Sequence, residues 1–318
     1  MDYRPFGRTG RPISAIGLGT ALFGREVDES ASFRTMDYAF EKGINYFDTA
    51  EGYAGPGRIA SEVMLGKWLR SRGVREKIFI NTKIIAGGDG DTIEHIMLQS
   101  LERMGIDRVD SVKMHLPFPK VPITETLDAL TRQVKAGRTG AIGCSNYTTA
   151  QLREALEVSA RGGYARFEAV QVAYNLAIAD RQEHLSRFEA EREMFPLCRR
   201  ESIAITTYAP LGSGFFAGVY ASPERSAIPR GSRFDLFKGH MDVYFTDQNF
   251  SILESLRSKA EDMGIPMVRL AMAWVMSNAD ITSVIVGADN TAMLDNAIAA
   301  REMGLDPTLR AEMSAWGT

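Results

Sequence analysis

Two cysteines, Cys144 and Cys198, are too few for a disulfide framework or a multi-cysteine metal site. Charge of one sign is missing as well. Lys plus Arg number 37 against 40 for Asp plus Glu, a net charge of -3 over 318 residues. That balance makes no electrostatic case for nucleic acid or an anionic membrane as partner. No run approaches the ~18 apolar residues of a membrane span. The opening Met1-Asp2-Tyr3-Arg4-Pro5-Phe6-Gly7-Arg8 lacks the apolar stretch of a signal peptide. An apolar content of 45% excludes general disorder. The expectation is a cytoplasmic globular protein with reduced thiols, on whose oligomeric state the sequence is silent.

What is present is a repeated pattern. Short β-branched or apolar runs occur at 15–19, 44–48, 78–83, 111–115, 141–145, 169–173, 203–208 and 283–287, each followed by a helical pattern. Seven run ends (Gly19, Asp48, Lys83, His115, Ser145, Gln171, Tyr208) lie 26 to 37 residues apart, the length of one βα unit; Gly287 follows after 79. Eight such units make a (β/α)8 TIM barrel, taken as one domain over 1–318. The surplus length falls in two places. Gly7-Arg8-Thr9-Gly10 signals an N-terminal β-hairpin expected to plug the barrel bottom. The segment from Leu211 to Asp235 reads as a mobile active-site loop before the eighth strand, with Arg225, Arg230 and Arg233 solvated.

Helix boundaries are marked too. Ile93, Ile96, Met97, Ser100, Leu101 and Met104 share one face, with Asp91 and Glu94 expected to cap it and Gly105 to stop it. Thr124 is expected to open another helix, with Leu127, Leu130 and Val134 on its apolar face. Met64, Trp68 and Leu69 mark a third, after Ser61. Gly87-Gly88-Asp89-Gly90-Asp91 reads as a turn and helix cap, since it lacks the acidic spacing of a calcium loop, and no metal is expected.

In such a barrel the C-terminal strand ends converge on the active site. Asp48, Lys83 and His115 end three consecutive strands, and Tyr53 lies just beyond the first of them. Alone, each reads as a cap or a solvated end; together they form a chemistry. A phenol of pKa near ~10 is too weak an acid at neutral pH, and a buried ammonium beside it favours phenolate. The lysine in turn needs a carboxylate, which Asp48 supplies. Neutral His115 can hydrogen-bond a carbonyl oxygen. The set protonates a developing oxyanion without a metal or covalent nucleophile, so electrons must come from elsewhere. Ser145, Asn146 and Gln171 suit a carboxamide, Tyr208 offers a face for a flat ring, and Leu211-Gly212-Ser213-Gly214 and Gly287-Ala288-Asp289-Asn290 are turns near which phosphate can lie.

These segments resemble the aldo-keto reductase superfamily over nearly the whole chain. The matching motifs are Ile44-Asn45-Tyr46-Phe47-Asp48-Thr49-Ala50-Glu51-Gly52-Tyr53, Ser61-Glu62 leading to Leu65-Gly66, Asn81-Thr82-Lys83, and His115. Ile142-Gly143-Cys144-Ser145-Asn146-Tyr147, Gln171 with Tyr174-Asn175, and Tyr208-Ala209-Pro210-Leu211-Gly212-Ser213-Gly214 follow in the same order. The resemblance implies a barrel that reduces aldehydes or ketones with NADPH. It implies Tyr53 as proton donor, Lys83 and Asp48 as the pair tuning it, and His115 as substrate-orienting group. It places Ser145, Asn146 and Gln171 on the carboxamide, Tyr208 under the nicotinamide and Gly19 and Thr20 at the ribose. Pro210 to Gly214 would border the pyrophosphate, with Gly287, Ala288, Asp289 and Asn296 toward the adenosine.

Three departures shape the expectations. Leu116-Pro117-Phe118-Pro119-Lys120 stands where many relatives carry an Asp after the histidine, and Ser213 where a Lys or Arg is usual. Asp289 occupies a slot where relatives that prefer NADPH often have Arg. A carboxylate there repels a 2′-phosphate and accepts from a free 2′-hydroxyl. The family pattern thus points to NADP(H) and the local charge to NAD(H), with Arg301 as a cation that could restore the former. Asn296 falls where an acidic adenine ligand is frequent, and Ala297 where Asn is. Phe23, Phe118, Tyr147 and Phe216, on loops beyond strand ends, are candidate walls for a small carbonyl or alcohol substrate. Two rivals remain: a cofactor-binding regulatory subunit with little turnover, and a metal-independent hydrolase using Asp48 and His115. The second leaves the Tyr–Lys pairing without a role.

Overall fold

The architecture comes from a computed structural model that describes residues 1–317 apart from 54–59, 86, 88, 179–185, 221–227, 231 and 237. Two short strands, β1 (Tyr3–Pro5) and β2 (Pro12–Ser14), pair antiparallel as the N-terminal hairpin. Then come β3 (Ile16–Gly19), β4 (Tyr46–Asp48), β5 (Phe79–Ile84), β6 (Val109–Met114), β7 (Thr139–Ser145), β8 (Phe167–Ala173), β9 (Ala204–Tyr208) and β10 (Ser283–Gly287). They close into a parallel eight-stranded barrel in the order β10-β3-β4-β5-β6-β7-β8-β9. The expected (β/α)8 barrel is the fold.

Alternation along the strands sorts side chains into two layers. Phe47, Ile80, Val112, Ile142, Val170 and Ile205 point out and join the large core beneath the helices. Tyr46, Phe79, Ala141, Ala169, Ala204 and Ile285 point in and form a separate cluster with Phe6 and Ile13 of the hairpin. Phe6 is fully buried, its ring 4.6 Å from that of Phe79. The hairpin therefore closes the barrel bottom. Above this apolar floor the inward positions turn polar: Asn81, Lys113, Gln171 and Thr206 are all buried.

Around the barrel run α1 (Glu29–Glu41), α2 (Ser61–Arg72), α3 (Gly90–Met104), α4 (Ile123–Lys135) and α5 (Thr149–Gly162). The expected apolar face of α3 is buried, and Gly105 ends it at φ 63°. Its N-cap is Asp89 and not Asp91, because the helix begins at Gly90 and the Asp89 side chain accepts from the Thr92 amide. Likewise α4 starts at Ile123, one residue before Thr124, with Pro122 at the N-cap position. Gly66 has a packing reason: a Cβ there would lie 2.2 Å from the Met104 carbonyl, so α2 and α3 approach closely only over glycine.

The long connection after β9 is packed where it is described. Phe215 stacks with Tyr220 and Tyr244 and meets Phe245 and Phe250 edge-on, all at centroid separations of 6.4 Å or less. Arg225 and the side chain of Arg233 lie outside the described residues; Arg230 is exposed. Helices Asp247–Asp262 and Met267–Met276 then lead to β10, so part of the surplus length is a second helix.

If Phe6 seals the barrel, Phe6→Ala should lower unfolding free energy by ~3–5 kcal/mol, the range for deleting a buried aromatic ring. Urea denaturation followed by tryptophan fluorescence reads this directly, and a loss under 1 kcal/mol would show the floor to be sealed without it.

Candidate active site

Strand register assembles the site. β4 and β5 pair Asp48 with Asn81, which sets Lys83 one inward step higher on β5. Lys83, fully buried, has three donors and meets three acceptors: Asp48 Oδ2 at 2.5 Å, the Thr49 carbonyl at 2.9 Å and the Tyr53 hydroxyl at 3.2 Å. Asp48 Oδ1 accepts from Asn81 Nδ2 at 2.8 Å and from the Tyr46 hydroxyl at 3.4 Å, and Oδ2 also accepts from Gln171 Nε2 at 3.4 Å. His115 follows β6, its ring 5.7 Å from that of Tyr53 and nearly perpendicular to it. All four expected residues thus meet at one end of the barrel.

Their electrostatics follow from burial. The Tyr53 phenol is raised by burial, which outweighs the opposing charge of Lys83. The sequence alone has Lys83 lowering the phenol; in the structure burial outweighs it, and the phenol is protonated at neutral pH. Burial pulls Lys83 down, but Asp48 and Tyr53 more than offset it and the ammonium persists. His115 is lowered to about 3, by burial and by the Lys83 charge, so its ring is neutral at working pH. Its Nδ1 is buried with no hydrogen-bond partner among the described residues.

The later strand ends carry amide and hydroxyl groups, several already engaged. Asn146 has φ 62° and donates to the His115 carbonyl at 3.0 Å and to Ser145 Oγ at 3.1 Å. Its Oδ1 accepts from the Tyr208 hydroxyl at 2.8 Å, so Asn146 braces the rim that holds His115. Thr20 is buried and bonds Ser61 at 2.7 Å and the Asp48 carbonyl. Beyond β9 the backbone is left-handed at Ala209, Gly212, Ser213 and Gly214. The amides of Gly212 and Gly214 donate inside the turn, to Ala209 and Leu211, and Asn175 holds the Ala209 carbonyl at 3.0 Å. Those two glycine amides are therefore spent on the turn itself.

After β10, Gly287 has open space where a Cβ would stand, Ala288 is buried, and Asn290 caps the helix Thr291–Met303. Asn296 accepts from Arg269 Nε at 2.9 Å. Arg301 does not reach this end: it pairs with Asp2 at 2.6 Å and with the Met276 carbonyl. Arg269 is the cation found beside Asn296.

Of the expected pocket walls, Phe23, Tyr147 and Phe216 are buried in the core, Tyr147 edge-on to Phe167 and Phe216 edge-on to Phe215. Those three have almost no solvent-facing surface. Phe118, on the segment after His115, remains partly exposed. Two buried polar residues near Asp48, Asn81 and Lys113, have no site role in the sequence reading. The signal was there: each stands two residues before an expected site residue, on the same inward face of its strand.

A family model for the aldo/keto reductase family matches residues 15–315. The chain belongs to the aldo/keto reductase family. Among relatives, it is 31% identical over 300 residues to a protein of Oryza sativa subsp. japonica named probable voltage-gated potassium channel subunit beta, covering 91% of this chain and 87% of that one. A protein of Arabidopsis thaliana with the same name is 31% identical over 306 residues, 92% of this chain and 89% of that one. The uncharacterized oxidoreductase YrpG of Bacillus subtilis (strain 168) is 29% identical over 321 residues, 96% of this chain and 93% of that one. No helix among the described residues of this family member is long and apolar enough to cross a membrane.

The ion pair at the centre of the site has a testable energetic signature. Lys83→Met leaves Asp48 buried without its cation and should cost ~3–5 kcal/mol. Adding Asp48→Asn should recover most of that loss in a double-mutant cycle by urea denaturation; additive losses would show that the two do not depend on each other.

Proposed function

We propose that this aldo/keto reductase family member is an NAD(P)H-dependent oxidoreductase that reduces an aldehyde or ketone, or oxidises the corresponding alcohol. The observation that carries the reading is Lys83, which binds Asp48 and Tyr53 at once beside a neutral His115. The bound nicotinamide supplies the hydride; everything else falls to the chain.

Tyr53 gives its proton to the carbonyl oxygen as negative charge develops there. Lys83, 3.2 Å away, then stabilises the phenolate, and Asp48 keeps the pair electrically balanced. Neutral His115 offers a ring N–H to the same oxygen and orients the substrate. Ser145 and Gln171 face the carboxamide, with Asn146 fixing the geometry of that rim, and the ring of Tyr208 forms the stacking surface. Gly19, Thr20 and the turn Pro210 to Gly214 border the ribose and pyrophosphate. The open space above Gly287 and the helix N-terminus after Asn290 suit an anionic nucleotide. Arg269 beside Asn296 offers a cation for a 2′-phosphate, which favours NADP(H) over NAD(H) despite Asp289. Phe118 lines the acceptor side.

A regulatory, cofactor-binding role is the second reading, favoured by the names of the two plant relatives. Against it stands the complete Asp48–Lys83–Tyr53–His115 set. Tyr53→Phe separates the two. Assayed by cofactor oxidation on a carbonyl panel, the variant should retain cofactor affinity within about threefold and lose ~10²-fold or more in kcat. Wild-type binding without turnover would favour the regulatory role, and no binding at all would remove the oxidoreductase reading. Fluorescence titration of both cofactors should give tighter binding of NADPH; a tenfold preference for NADH would reverse that assignment.

A further inference from the structure

Lys113 sits in the barrel interior one inward step below His115, fully buried, in a second cation site that the catalytic set does not explain. Its three donors meet three acceptors: the Tyr46 hydroxyl at 2.9 Å, Gln171 Oε1 at 2.9 Å and Thr206 Oγ1 at 3.0 Å. The rings of Phe6 and Tyr46 lie 5.7 and 5.6 Å from the same nitrogen. Two of these partners touch Asp48: the Tyr46 hydroxyl donates to one carboxylate oxygen and Gln171 Nε2 to the other.

An ammonium can only donate. It therefore fixes the Gln171 amide with oxygen down toward Lys113 and NH2 up toward Asp48 and the strand end. It also leaves the Tyr46 hydroxyl hydrogen free for Asp48, as the Thr206 hydroxyl hydrogen is free for the Val170 carbonyl. We propose that Lys113 is a positioning residue whose protonation holds Gln171 and Tyr46 in the arrangement that receives the nicotinamide carboxamide. The inference rests on the oxidoreductase reading above and names a residue that acts only through others.

Titration gives the device a pH range. Burial lowers Lys113 to about 7; Asp48 of β4 opposes this, Lys83 of β5 adds to it and Cys144 of β7 weakly resists it. Its hydrogen-bond partners Tyr46, Gln171 and Thr206 are neutral groups. As pH rises through about 7 the amine keeps two N–H bonds for three acceptors, and the Tyr46 hydroxyl can turn from Asp48 to the amine lone pair. His115, already neutral above about 3, contributes no change in that range.

The experiment compares NADPH affinity by fluorescence titration at pH 6.0 and 8.5 for wild type, Lys113→Met and Lys113→Gln. Wild type should weaken about tenfold across this interval. Lys113→Met should be about tenfold weaker than wild type at pH 6.0 and flat with pH, and Lys113→Gln, a donor that cannot titrate, should recover part of the affinity and also be flat. Ionisation of the cofactor phosphate is common to all three and cancels. Urea denaturation is the second readout. A lysine lowered by folding binds fewer protons than in the unfolded chain between pH 7 and 10, so wild type should gain stability relative to Lys113→Met as pH rises through that window. Parallel affinity profiles in wild type and Lys113→Met, or parallel stability curves, would overturn the proposal while leaving the oxidoreductase reading intact. Failure of folded wild type to bind NADPH or NADH would overturn both.

Discussion

The buried ion pair between Lys83 and Asp48 is the constraint on which the rest of the site depends. Taking both charges out of water costs several kcal/mol per ion, and close contact repays this only if the remaining lone pairs and protons are also satisfied. Here they are: the ammonium spends its other donors on the Thr49 carbonyl and Tyr53, and the carboxylate is met by Asn81, Tyr46 and Gln171. That requirement explains why the upper barrel interior is polar while its floor is an apolar cluster closed by Phe6. It also explains the state of Tyr53. Burial keeps the phenol protonated, while the neighbouring ammonium acts in the opposite direction.

Much of this was legible in the sequence. Regular spacing of strand ends gave the eight-stranded barrel because each βα unit needs a similar length to cross one strand and return along one helix. The convergence of Asp48, Tyr53, Lys83 and His115 was readable because C-terminal strand ends meet at one end of a barrel. Boundaries were less so. Asp89 caps α3 although Asp91 carries the same side chain, since the choice is made by which backbone amide the carboxylate reaches.

What the sequence hid was use of hydrogen-bonding capacity. Asn146 and the glycine amides of the turn after β9 look available in one dimension, but their partners lie in the rim and the turn itself. Phe23, Tyr147 and Phe216 sit on loops by sequence and in the core by packing. Arg301 and Arg269 exchange roles because helix Met267–Met276 turns the latter toward Asn296 while the former faces Asp2. Lys113 was hidden between Val112 and Met114, and only the shared inward face with His115 marked it.

The central claim is that this barrel end delivers a proton from Tyr53 to a carbonyl oxygen while the nicotinamide reduces its carbon. Mass spectrometry of the alcohol formed from cofactor carrying deuterium at both C4 positions of the dihydronicotinamide tests that claim most directly. The account predicts one deuterium at the carbinol carbon with wild type and its slow appearance with Tyr53→Phe. An alcohol formed without deuterium, or at equal rates with both proteins, would contradict it.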